Sequence, residues 1–196
     1  MAWLVTGGAG YIGSHIVRAF ADEGLAAVVI DDLSSGHRDF VDDGVPFNSG
    51  NVTNTEVLDR IFTEHEIDGV VHLAGFKYAG VSVSRPLHTY TQNVSGMLAL
   101  LAAMAGHGVA RFVFSSSAAV YGTPESGLVT EATPTRPESP YGESKLVGEW
   151  LLADQARATE STAQPLRHAS LRYFNVVGSG YPDLPDTSPH LSLIHI

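Results

Sequence analysis

The chain contains no cysteine. That excludes disulfide cross-links, a thiolate metal site and a cysteine nucleophile. Charge is also scarce, at 16% of residues, and basic charge scarcer still: 11 Lys and Arg against 21 Asp and Glu, a formal net charge of −10. A surface of that sign repels nucleic acid and anionic membrane, so neither is expected as a main partner. A small anionic ligand stays compatible with a local positive site. No apolar run has bilayer-spanning length. The N-terminal MAWLVTGGAGYIG carries no basic segment ahead of its apolar run and no cleavage site, which makes the cytoplasm the expected compartment. The nine histidines lie scattered without ligand spacing, so no metal is expected. Internal repeats and low-complexity linkers are missing as well.

What is present is an ordinary globular composition, 44% hydrophobic over 196 residues, enough for one core and the start of a second unit. Short apolar, often β-branched runs recur at 2–6, 26–30, 45–49, 69–74, 111–116 and 169–174. Helical patterns separate them. Ile12, Ile16, Val17 and Phe20 share a face ahead of Gly24. Leu87, Tyr90, Val94, Met97, Leu98, Leu101 and Met104 recur at three- and four-residue steps through 86–106 and read mostly as core, together with Leu146 and Trp150. A third helix is expected to open at Pro140. The stretch 122–140, with four prolines, reads as a long surface loop. Strand and helix in alternation predict a parallel sheet covered on both faces, with right-handed crossovers.

VTGGAGYIGSH leaves the first strand and enters the first helix. Gly8, Gly10 and Gly13 fit G-x-G-x-x-G, and Gly7, Gly10 and Gly13 fit an even three-residue spacing. Glycine permits the tight turn and the close approach of a pyrophosphate, and the helix N-terminus offers it free N–H groups. Alone, the spacing also fits a turn with no ligand. Asp31 narrows the choice. It ends the second strand, at the distance expected of a carboxylate that binds an adenosine ribose. Its charge opposes a 2′-phosphate and favours NAD over NADP, a preference that neighbouring His37 and Arg38 could soften.

In SPYGESK, Tyr141 precedes Lys145 by one helical turn. A phenol is normally protonated at neutral pH. A nearby ammonium group and an oxidised, positively charged nicotinamide would both favour the phenolate. FVFSSSAAVYG places Ser115, Ser116 and Ser117 at the carboxyl end of a strand, where open parallel sheets bind ligands. A hydroxyl there could relay a substrate proton to Tyr141, or simply satisfy its own backbone.

TGGAGYIGSH, HLAGFK, SSSAAVYG, SPYGESK and LRYFNVVG together resemble the extended short-chain dehydrogenase/reductase family, from Trp3 to about His190. The resemblance implies an α/β fold of Rossmann type: a doubly wound parallel sheet over 1–176, with 177–196 beginning a substrate-binding lobe. It implies NAD-dependent epimerisation at C4 of a UDP-hexose through a transient 4-keto sugar, in a homodimer. Gly7, Gly10 and Gly13 would shape the pyrophosphate loop, with Tyr11 and Ile12 touching the cofactor. Asp31 would bind the ribose, enclosed by Asp32, Leu33, Ser34, Ser35 and Gly36. Asn51 and Val52 would flank the adenine, and Leu73, Ala74, Gly75 and Lys77 would line the middle of the cofactor. Ser117 and Tyr141 would handle the sugar hydroxyl, Lys145 the nicotinamide ribose. Phe174 would pack near the nicotinamide and Asn175 would contact the substrate.

Several features depart from the family pattern. Asn51 stands where Asp is usual, with an amide expected to serve the adenine by both donor and acceptor. Gln92, beside Asn93, replaces a common Asn of the cofactor site. The ending LSLIHI breaks the pattern after His190, so a truncated chain, inactive or weakly active, with a non-native tail is expected. Ala118 and Ala119 occupy positions where a dehydratase carries acids, which counts against that branch. Another NAD-dependent nucleotide-sugar enzyme, a decarboxylase or reductase, and a non-catalytic NAD-binding module are the alternatives.

Overall fold

The computed structural model describes residues 1–124 and 127–178. Six strands, β1 (Ala2–Thr6), β2 (Ala26–Asp31), β3 (Phe47–Ser49), β4 (Ile67–His72), β5 (Arg111–Ser115) and β6 (Arg167–Leu171), form one sheet in the order β3-β2-β1-β4-β5-β6. Every neighbouring pair is parallel. Alternation along the strands assigns the two faces. Leu4, Val28, Ile30, Val70, Phe112 and Phe114 enter one core, while Val5, Val29 and Val71 enter the other.

Helices cover both faces. Helix α1 (Tyr11–Asp22) brings Ile16, Val17 and Phe20 to the second core. On the opposite face α2 (Thr55–Glu64) brings Leu58, Ile61 and Phe62. The short α3 (Ala79–Ser84) and α4 (Pro86–Tyr90) follow. Chain 91–95 makes a wide π-type turn that leads without a break into α5 (Gly96–Gly106), which buries Met97, Leu100 and Met104. Helix α6 (Pro140–Thr159) adds Leu152. Each fully buried leucine or isoleucine contributes about 1.5–3 kcal/mol.

The six strands and the helices expected in 12–24, in 86–106 and from Pro140 are present in the expected order, whereas α2 and α3 are helices that the apolar spacing does not announce. The third strand starts at Phe47, not Val45, because only 47–49 pairs with β2. Helix α2 is capped by Asn54, whose side chain accepts from the amides of Glu56 and Val57, a local signal that the apolar spacing alone understates. Leu87, Leu98 and Trp150, expected in the core, are exposed. Among the described residues no helix is long and apolar enough to cross a membrane. The expectations for 179–196 lie outside the described residues.

The sheet reverses its winding between β1 and β4. There Thr6 faces His72 in the register, and the carbonyl of Thr6 accepts from Leu73 and Ala74 at 3.1 Å each. This is the place where an open α/β sheet parts its loops and leaves a crevice.

Candidate active site

A cleft of about 560 Å³ opens over the carboxyl ends of the strands. The glycine loop forms its floor. Gly7 takes φ 72°, and a Cβ there would meet the Ala74 nitrogen at 2.8 Å; one at Gly13 would lie 2.1 Å from the Gly7 carbonyl oxygen. Both glycines are therefore fixed by backbone crowding. Gly10 differs: a Cβ there meets only the Gly7 oxygen, at 3.2 Å. Gly10 is also the N-cap of α1, with no side-chain hydrogen bond to the first turn. The amide-rich start of α1, with Tyr11 and Ile12, thus lines the cleft as an anion cradle.

Asp31 stands at the end of β2, buried, with one carboxylate oxygen accepting from the Ala9 amide at 3.0 Å and the other from Leu33 at 2.8 Å. Burial pushes its pKa up, against the pull of these two N–H groups and of Lys77. Asp32 is also opposed by burial, yet bonds from Ser34 and Asn51 hold it below the ordinary carboxylate range. Asp31, Asp32, Ser34, Ser35 and Gly36 line the cleft. Leu33 does not: at φ 58° it turns the chain, and its amide serves Asp31. Arg38 is engaged away from the cleft. It donates to the Val41 carbonyl at 2.5 Å, pairs with Asp43 at 3.7 Å and covers the Phe47 ring. The negative charge of Asp31 therefore governs this end of the cleft.

Asn51 lines the cleft beside Val52, with its amide already engaged. Its Nδ2 donates to Asp32 at 2.7 Å and to Gln92 at 2.9 Å, and its Oδ1 accepts from the Thr53 amide and hydroxyl at 3.0 and 2.9 Å. The amide braces the wall of the cleft through these four bonds. Gln92 reaches the cleft as the other half of that brace. Val52, Leu73, Ala74, Gly75, Lys77, Phe174 and Asn175 line it as well. Lys77 is pulled down by burial and supported by Asp31.

The reacting end is built on α6. Ser139 caps the helix by accepting from the Gly142 amide at 3.2 Å, and Pro140 occupies the first turn. Tyr141 and Lys145 then face the serines after β5. The Ser117 hydroxyl faces the Tyr141 phenol and favours its ionised form, and Ser117 accepts from the Ala119 amide at 3.1 Å. Lys145 donates to the Ser115 carbonyl at 2.9 Å and lies 5.8 Å from the centre of the Tyr141 ring. Burial pushes the Tyr141 phenol up, opposed by Ser117 and reinforced by Tyr173. Burial pulls Lys145 down to about 8. Lys145 by itself therefore does not produce a phenolate, because its ammonium is spent on a carbonyl and stands over the ring face. Additional positive charge at the cleft is needed for Tyr141 to act as a base.

Ser115 lies in the cleft as its strand-end position implies, while Tyr173, Phe76, Tyr78, Arg85 and His88 are cleft residues that the sequence reading does not name. Ser115 and Tyr173 share a hydrogen bond. Tyr173 stands directly before Phe174, so its place in LRYFNVVG was the available signal. Asn93, on the wide turn, accepts from the Phe76 amide at 2.6 Å and donates to its carbonyl at 3.0 Å and to Ser144 at 2.8 Å. It ties the cleft wall to α6.

The chain is similar to known proteins over most of its length. A UDP-glucose 4-epimerase of Azospirillum brasilense is 47% identical over 176 residues, 90% of this chain and 49% of the relative. The structure of the Thermus thermophilus UDP-glucose 4-epimerase in complex with NAD matches with a TM-score of 0.85 at 40% identity, covering 91% of this chain and 56% of that one. The Bifidobacterium longum UDP-glucose 4-epimerase, in complex with NAD+ and UDP, matches with a TM-score of 0.83 at 37% identity, over 89% and 53%. The chain spans about half the length of the curated relatives it matches. The model of the NAD dependent epimerase/dehydratase family matches residues 3–193. With the glycine cradle, the carboxylate at the end of β2 and the Tyr141–Lys145 turn in place, the chain belongs to that family.

Proposed function

We propose that this protein interconverts UDP-glucose and UDP-galactose at C4 through a transient 4-keto sugar, using NAD, as a cytoplasmic homodimer. The observation that carries the reading is the meeting of the Tyr141–Ser117 hydroxyl pair with Lys145 in the same cleft as the glycine cradle and Asp31. Similarity to epimerases solved with NAD and with UDP supports it.

The cleft fits a dinucleotide on structural grounds: an open helix N-terminus faces it, three glycines whose turn lets backbone come close line it, and a held carboxylate closes one end. Gly7, Gly10, Tyr11, Ile12 and Gly13 would hold the pyrophosphate; Asp31, Asp32, Ser34, Ser35 and Gly36 the adenosine ribose. Val52 would pack on the adenine, and Leu73, Ala74, Gly75 and Lys77 on the middle. Phe174 would meet the nicotinamide. When bound, NAD supplies a reversible hydride acceptor. Tyr141 takes the proton of the sugar 4-hydroxyl, directly or through Ser117, once Lys145 and an oxidised nicotinamide make its surroundings positive. Asn175 contacts the sugar. Ser117 keeps its own hydrogen to donate, since its oxygen accepts from Ala119.

Two measurements on the purified chain test this: NADH binding by fluorescence, and conversion of UDP-galactose to UDP-glucose. Turnover in the 196-residue chain is expected to be slow, because among the described residues only Ser117, Tyr141 and Asn175 are assigned to the sugar, and none is assigned to the uridine diphosphate. Tyr141→Phe is expected to lower whatever turnover exists by about 100-fold or more while NADH still binds. A Tyr141→Phe variant that kept its turnover would end the proposal, and a chain that bound no NADH would end the cofactor assignment.

A further inference from the structure

Three consecutive serines follow the body of β5, and each is tied to one of three α6 residues spaced one turn apart. Ser117 faces Tyr141 across the cleft and acts on its phenol. The Ser115 carbonyl receives Lys145 at 2.9 Å. The Ser116 hydroxyl donates to Glu149 at 2.5 Å. Tyr141, Lys145 and Glu149 share one face of α6 because a turn is close to four residues. The first two carry the proposed chemistry; the third has no part in it.

Glu149 is held from its other side as well. Arg172 Nε donates to its two oxygens at 2.9 and 3.1 Å, and Arg172 Nη2 donates at 2.5 Å. The side chains are 10% and 24% exposed. Arg172 also donates to the Tyr121 hydroxyl at 3.0 Å and lies over that ring. Arg172 begins the stretch that continues through Tyr173 to Phe174 and Asn175, and the Tyr173 carbonyl accepts from the Ala118 amide at 3.1 Å. The pair therefore joins all three segments that carry the reacting end: α6, the serine turn and the chain after β6.

A largely buried ion pair is weak as a source of stability, since desolvation offsets its attraction, and its best-attested use is to select one arrangement. We propose that Glu149 and Arg172 are positioning residues that set Ser117 against Tyr141 and fix Phe174 and Asn175 at the mouth of the cleft. The assignment rests on Tyr141 and Ser117 being the reacting pair.

The test uses the whole chain with carbon-13 at the ζ position of tyrosine, the Tyr141 resonance being identified by its loss in Tyr141→Phe. Ser116→Ala removes only the hydroxyl that reaches Glu149. The double variant Glu149→Leu with Arg172→Leu replaces the charges by apolar groups, so the fold keeps its packing but loses the tether. In both, the Tyr141 resonance is expected to shift while circular dichroism and cooperative unfolding persist. A resonance unmoved in Ser116→Ala and in the double variant overturns the proposal. If the double variant fails to fold, Ser116→Ala alone decides. NADH binding is measured on the same samples: a wild-type chain that binds none defeats the cofactor assignment and leaves the resonance test intact.

Discussion

Lys145 carries its charge where charge is costly. Its side chain is buried, and burial lowers its pKa from 10.5 to about 8. His72, nearby, is pushed to about 3 first by its own burial and then by that ammonium group. The folded state binds the lysine proton more weakly than the unfolded state does, so stability is penalised below pH 8 and recovers as pH rises toward 10.5. At about 1.4 kcal/mol per unit, the penalty near neutrality is roughly 3 kcal/mol. Part of it returns through the hydrogen bond to Ser115. Lys145→Met, of similar length and without charge, is expected to stabilise the chain by roughly 1–3 kcal/mol at pH 7 and to weaken NADH binding. The check is the melting temperature of both proteins at pH 7 and at pH 9.5. The gap should narrow at the higher pH, and a variant less stable than wild type at pH 7 would show that the ammonium group supports the fold instead of burdening it.

At the scale of elements, what the sequence disclosed was local chemistry. The Ser139–Pro140 start of α6, the glycine turn into α1 and the strand-ending Asp31 each follow from neighbouring residues, and each lies where it was expected. What it concealed was long-range. Asn51 is consumed by Asp32 and Gln92, and Lys145 by Ser115, contacts that no spacing rule anticipates. The three- and four-residue stripe from Leu87 to Met104 marks a helical face but not what covers it, so Leu87 and Leu98 stand exposed while Met97 and Met104 are buried. The glycine loop divides in the same way. A methyl at Gly13 collides with Gly7 and Gly8 backbone at 2.1 and 2.7 Å, and no side chain is available to yield. Gly13→Ala is therefore expected to destabilise the fold by about 1–3 kcal/mol. At Gly10, which lines the cleft, a methyl meets one oxygen at 3.2 Å and no other atom within 4 Å. Gly10→Ala should melt near wild type yet lose NADH affinity by about tenfold or more. Equal loss of stability in both variants would contradict this division.

At the scale of the whole molecule, the chain sets a net charge of −10 against a cleft that gathers Lys77, Arg85 and Lys145, so an anionic ligand is held locally and not drawn in by the overall field. The same surface leaves large apolar side chains in water on the helices that carry the reacting end: Val83 at 65% exposure on α3, Leu87 at 82% on α4, Leu98 at 49% on α5 and Trp150 at 57% on α6. Helices α3 and α4 pack on α6, which places these side chains on connected elements. Single exposed apolar residues are ordinary, but monomers seldom gather them into one large patch. The proposed homodimer would bury these side chains, and it predicts a specific dissection. Leu87→Glu combined with Trp150→Glu puts charge where a partner would press, while neither residue lines the cleft. Sedimentation equilibrium at micromolar concentration should find the wild-type chain dimeric and the double variant monomeric, with NADH binding preserved in both. A wild-type chain that sediments as a monomer at those concentrations would detach the apolar face from self-association.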